Sequence, residues 1–124
     1  MTRTAFDARD PNYPAVKQMF RDYFGHDIPI NVNIAADDDM YAYSCDYCGG
    51  KAIGAMAYFR AGLSVFDCVA HIAQWKFGGL ENINSFLDFA SGHGRFTRIL
   101  KAAYPAERIW ASEILPGGGR VSAR

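Results

Sequence analysis

The stretch Ser85-Phe86-Leu87-Asp88-Phe89-Ala90-Ser91-Gly92-His93-Gly94-Arg95-Phe96-Thr97-Arg98-Ile99-Leu100 constrains this chain more than any other. Its apolar start (Phe86, Leu87, Phe89) reads as a short buried strand. The small residues from Ala90 to Gly94 make a tight turn, after which Phe96, Ile99 and Leu100 share one face of a helix. Strand, tight turn and helix form the first half of a nucleotide-binding α/β unit. The turn lets the backbone approach a ligand with no Cβ in the way, and the start of the helix offers unpaired N–H groups.

Spacing narrows the ligand. A dinucleotide fingerprint, G-x-G-x-x-G, needs its third glycine for close helix-on-strand packing, and the residue there is Thr97. Counted from Ala90, the pattern is A-x-G-x-G with Asp88 two positions before it. This resembles motif I of the class I S-adenosylmethionine (SAM)-dependent methyltransferases, with Ala90 in place of the first glycine. Arg108-Ile109-Trp110-Ala111-Ser112 then reads as a second strand ending at Glu113, and a carboxylate there can accept hydrogen bonds from both hydroxyls of a ribose. The resemblance implies that Glu113 binds the ribose of SAM and that Ile114 packs on the adenine. It also implies that Asp88 fixes the loop through backbone hydrogen bonds and reaches toward the cofactor's amino group. The cofactor-binding set it implies is Asp88, Phe89, Ala90, Ser91, Gly92, Gly94, Glu113 and Ile114.

At 124 residues the length fits about one small domain. Half the residues are hydrophobic and 15% aromatic, enough for a core and against a disordered chain. Thirteen basic residues balance thirteen acidic ones, so no net charge argues for nucleic acid or an anionic membrane. No run approaches about 18 apolar residues, and the N-terminus lacks an apolar signal core. A cytoplasmic protein with reduced thiols is expected, its three cysteines being an odd number.

Residues 1–12 are polar and read as loosely held. A helix is predicted from Pro14 to Phe24, with Val16, Met19, Phe20, Tyr23 and Phe24 as its stripe and Gly25 ending it. His26 to Ala36 reads as an extended connector. Asp37-Asp38-Asp39 caps a helix from Met40 to Cys48, and a third runs from Ala52 to Ala61 before Gly62. Ser64-x-x-Asp67 reads as a capping box opening a fourth, with Phe66, Val69, Ala70, Ala73 and Phe77 on one face. Together with Phe77-Gly78-Gly79, this half resembles the helical lead-in of some bacterial methyltransferases. Such helices cover the cofactor cleft.

The expected fold class is α/β: a helical N-terminal region (1–80), then the first β-α-β unit of a Rossmann-like, SAM-binding fold (81–116), its sheet incomplete. Residues 117–124, opening with three glycines, read as a flexible tail. The family would continue with further strands and an acceptor-site motif. The chain therefore reads as the N-terminal portion of a methyltransferase, holding cofactor weakly, with no catalytic residue and no methyl acceptor named.

Two other readings compete. Cys45-x-x-Cys48 and Cys68-x-x-His71 approach the spacing of a structural zinc site, which would make the chain a zinc-stabilised binding module. A nicotinamide-binding fragment is the alternative within the same fold, opposed by Thr97. His93, between two glycines, reads as a half-exposed loop residue; His26 and His71 as surface; Arg95 and Arg98 as a solvated helix face. Tyr41, Tyr43 and Tyr58 read as core packing.

Overall fold

A computed structural model describes residues 3–89, 91–104, 108–113 and 122–123. Among them the chain is mixed α/β, with four α-helices and two small sheets. It divides into two units, residues 1–61 and 62–124.

In the first unit residues 4–6, within the segment expected to be loosely held, are tied down. Strand β1 (Thr4–Phe6) pairs antiparallel with β2 (Ile34–Ala35), placing Phe6 opposite Ile34. The alternation of apolar residues before Ala36 supplies the extended partner, and the Ala36 N–H reaches the Arg3 carbonyl at 2.7 Å. Phe6 is buried and meets Phe59 at 5.8 Å between ring centroids.

Helix α1 (Tyr13–Phe24) has Pro14 in its first turn and ends at Gly25, whose φ of 79° lets its N–H return to the Arg21 carbonyl. Its stripe buries Val16 and Phe20 but leaves Tyr23 exposed. Helix α2 (Asp39–Cys48) is capped by the middle aspartate: Asp38 Oδ1 accepts the Met40 and Tyr41 N–H groups at 3.0 and 3.2 Å. Asp38 is 1% exposed, and its other oxygen accepts the Tyr58 hydroxyl at 2.6 Å. Every oxygen of this buried carboxylate thus has a partner, as burial demands. Tyr41 and Tyr58 are core residues, whereas Tyr43 is exposed and stacks on Tyr47.

The expected third and fourth helices are one: α3 runs unbroken from Lys51 to Phe77. Neither Gly62 nor Ser64 interrupts it, because tertiary packing overrides local propensity. Gly54, in the first unit, shows the reason. A Cβ there would lie 2.6 Å from Cys45 Sγ and 2.7 Å from Cys45 Cα, so glycine lets α2 and α3 approach closely. The helix stops at Gly78 and Gly79, whose N–H groups bond the Gln74 and Ala73 carbonyls. By length and composition alone α3 is long and apolar enough to cross a membrane, although Arg60 and Asp67 interrupt its apolar run. Within the chain it buries Ala55, Tyr58, Phe59, Leu63, Phe66 and Ala73 and leaves Ile53, Ile72 and Trp75 exposed. Phe77, expected on its buried face, is exposed.

The second unit holds the stretch that opened the sequence analysis. Strand β3 (Phe86–Phe89) leads through a loop to α4 (Thr97–Ala103) and then β4 (Ile109–Ser112), which lies parallel to β3. Phe86 pairs with Ile109, Leu87 with Trp110, Asp88 with Ala111 and Phe89 with Ser112. Helix α4 covers one face, burying Ile99 and Leu100 on the side where Ile109 and Ala111 are buried. Ile99, Leu100 and Ile109 each contribute about 1.5–3 kcal/mol of transfer free energy. The other face is open: Leu87, Phe89 and Trp110 are 59%, 79% and 42% exposed.

The tail differs from expectation. Ser122–Ala123 forms β5, antiparallel to β4, with Trp110 opposite Ala123 and Ala111 opposite Ser122. The strand order is β3-β4-β5. The rest of the expected flexible tail lies outside the described residues.

Candidate functional site

The ends of β3 and β4 bring the sequence-predicted residues together. Two residues past β3, the Ser91 N–H donates to the Ser112 carbonyl at 2.8 Å. The backbone then turns through Gly92 and Gly94, at φ of 60° and 82°. Left-handed values of this kind favour glycine, which accounts for the two positions. The Gly94 N–H closes the turn on the Ser91 carbonyl at 3.1 Å.

Glu113 follows β4 directly, and its Oε2 accepts the Gly92 N–H at 2.8 Å. The carboxylate and the glycine loop are therefore in contact across adjacent strand ends. Ser91 is half-buried, and its Oγ has no hydrogen-bond partner among the described residues. A buried hydroxyl without a partner is uncommon and suits a position where a ligand supplies one.

Asp88 departs from expectation in its partner. Among the described residues its Oδ2 accepts a hydrogen bond from the Thr97 hydroxyl, a side chain at the start of α4. Thr97 is buried. Threonine thus stands at the third-glycine position because it clips α4 to β3 through this bond. Phe89 lies on the open sheet face, and Ala90 and Ile114 lie outside the described residues.

Sequence reasoning missed Arg98. Instead of facing solvent, it donates from Nε to the Gly94 carbonyl at 3.2 Å and from Nη2 to the His93 carbonyl at 3.1 Å. A cation four residues past Gly94 was the available signal, because one helical turn returns its side chain to the loop. His93 is half-exposed, as expected, and His26 and His71 are exposed.

The chain matches no family model, and neither a curated protein nor a solved structure is significantly similar to it.

The zinc reading finds no cluster. Among the described residues no group of three or more His, Cys, Asp and Glu side chains is placed to hold a metal ion. His71 turns Nδ1 to the Asp67 carbonyl at 2.7 Å, a contact made within its own helix. Cys45, Cys48 and Cys68 are unpaired thiols.

Among the described residues, Tyr41, Asp7 and its partner Arg9 are shifted from their ordinary ranges. Burial, and after it the neighbouring Cys45, pushes the Tyr41 phenol upward. Hydrogen bonds from the Arg9 side chain, and then from its backbone N–H, hold the Asp7 carboxyl below the usual carboxylate range.

Proposed function

We propose that residues 86–113 are part of a Rossmann-like SAM-binding domain and that the chain belongs to a SAM-dependent methyltransferase. One observation carries the reading: Glu113, at the end of β4, touches Gly92 of the loop that leaves the parallel strand β3. A ribose carboxylate and a glycine turn at neighbouring parallel strand ends are what an adenosyl group needs. On binding, the Glu113 carboxylate exchanges the Gly92 N–H for ribose hydroxyls, and the loop backbone lies against the methionine end of the cofactor.

The sulfonium methyl arrives already activated. The protein's part is to align donor and acceptor for in-line displacement and keep water out. The acceptor is a small molecule or another substrate brought to this cleft, and the three unpaired thiols suit a cytoplasmic setting.

Thr97 supports SAM over a nicotinamide dinucleotide, since its bond to Asp88 fills the space that the third glycine leaves for a close helix. The open face of Leu87, Phe89 and Trp110 leaves the site with few walls. The chain is therefore expected to bind SAM with a Kd on the order of 0.1–1 mM. Calorimetry of the purified chain against SAM and NAD tests this. Weak saturable binding of SAM, tighter than that of NAD, supports the reading. Equal or tighter binding of NAD, or no saturation by SAM at several millimolar, contradicts it.

A further inference from the structure

The loop between Ser91 and Phe96 has its carbonyl groups held from two directions. From α4, the Arg98 side chain reaches back to the His93 and Gly94 oxygens at 3.1 and 3.2 Å. The Arg98 backbone N–H meets the same Gly94 oxygen at 3.0 Å. From α3, the backbone at Gly62 lies close to the next carbonyl. A Cβ there would sit 2.8 Å from the Arg95 oxygen, 3.0 Å from Ile99 Cδ1 and 3.1 Å from Arg95 Cγ. Only a residue without a side chain lets α3 come this near.

Carbonyl direction decides amide direction. In a trans peptide the N–H points opposite to the preceding C=O. Holding the His93 and Gly94 oxygens therefore fixes the aim of the N–H groups of residues 94 and 95, and the wall at Gly62 restricts where the Arg95 carbonyl, and with it the N–H of residue 96, can turn. A planar guanidinium with donors in a rigid fork spans two adjacent carbonyls at once, which an ammonium on a flexible stem does not.

We propose that Arg98 is a positioning residue for this loop, clamping the His93 and Gly94 carbonyls while Gly62 supplies the wall behind Arg95. Arg98 itself touches no ligand in this arrangement. It acts through the backbone it holds, keeping Gly92 and Gly94 in their left-handed conformations before a ligand arrives. Its consequence for cofactor affinity rests on the SAM reading above, whereas its effect on loop order does not.

The test is amide hydrogen exchange of the full 124-residue chain, read residue by residue by NMR without ligand. Arg98→Ala is expected to speed exchange at Gly94, Arg95 and Phe96 by about tenfold, with Ile109 to Ala111 in β4 unchanged. Arg98→Lys, which keeps the charge and helix propensity, is expected to fall between Ala and wild type, and it carries the test should the alanine variant unfold. Loop exchange unchanged in Arg98→Lys and in a folded Arg98→Ala would overturn the proposal, as would a uniform rise across β4. A SAM titration of the same samples separates the two claims. A loop loosened in the variants, in a wild-type chain whose amides ignore SAM, leaves the clamp standing and removes the cofactor.

Discussion

Glu113 accepts the backbone N–H of Gly92 at 2.8 Å, joining the end of one parallel strand to the loop that leaves its neighbour. The bond has two expected consequences. Glu113→Ala and Glu113→Gln should both weaken SAM binding by about 2–4 kcal/mol, the worth of one or two charged hydrogen bonds. In the absence of ligand, the Gly92 amide resonance should move in the alanine variant. Calorimetry reads the first and NMR the second, and unchanged affinity in both variants would remove Glu113 from the site.

Asp38 caps α2 and accepts the Tyr58 hydroxyl in the same buried spot. Asp38→Ala loses the cap and strands a buried phenol, so a cost of about 3–5 kcal/mol in urea unfolding is expected. Tyr58→Phe should cost less, about 1–3 kcal/mol, since it removes one donor and keeps the ring. The double variant should fall short of the sum, because the two residues share one bond. Strict additivity would mean that the bond contributes nothing.

Gly54 sits where α3 meets Cys45 of α2. Alanine has the higher helix propensity by about 1 kcal/mol, so an isolated helix would gain from Gly54→Ala. The folded chain is expected to lose about 1–3 kcal/mol instead, since the new methyl meets backbone as well as sulfur. A stabilised Gly54→Ala variant by thermal or urea unfolding would refute the close approach.

Leu87 and Phe89 face away from α4 and are exposed. Replacing both with serine should change unfolding free energy by no more than about 0.5 kcal/mol each, while reducing dye binding and self-association. Losses of several kcal/mol would show that this face is covered.

Asp7 carries the clearest acidic pH signature. Arg9 lowers its carboxyl pKa in the folded chain, through the side-chain hydrogen bond first and the backbone one second. A depressed folded value means that the interaction is fully present above the unfolded carboxylate pKa, and it is lost as pH falls through the folded one. A carboxyl NMR titration should place Asp7 below the ordinary carboxylate midpoint of about 3.9, and Arg9→Ala should raise it toward that value, the backbone bond remaining. An identical midpoint in both proteins would exclude the pairing.

The parts legible in sequence were those set by local chemistry. Pro14 and Gly25 bracketed α1, Asp38 announced α2, and the glycines at 92 and 94 marked the turn after β3, each because one residue type suits one backbone geometry. The parts missed were set by contacts distant in sequence. Gly62 looked like a helix end, and only the nearness of Arg95 and Ile99 shows it to be a packing position. Thr97 looked like a misfit until Asp88 appeared as its partner, and β1 could not be read until Ile34 lay opposite Phe6. At the site itself Glu113 and the loop were foreseen as neighbours, whereas the return of Arg98 to the loop carbonyls was not.

The most direct test of the account is a titration of the isotope-labelled chain with SAM, followed through its backbone amides. The account predicts saturable shifts concentrated at Ser91 to Gly94 and at Glu113, with α1 and α2 silent. Shifts confined to other residues, or none at several millimolar SAM, would contradict it.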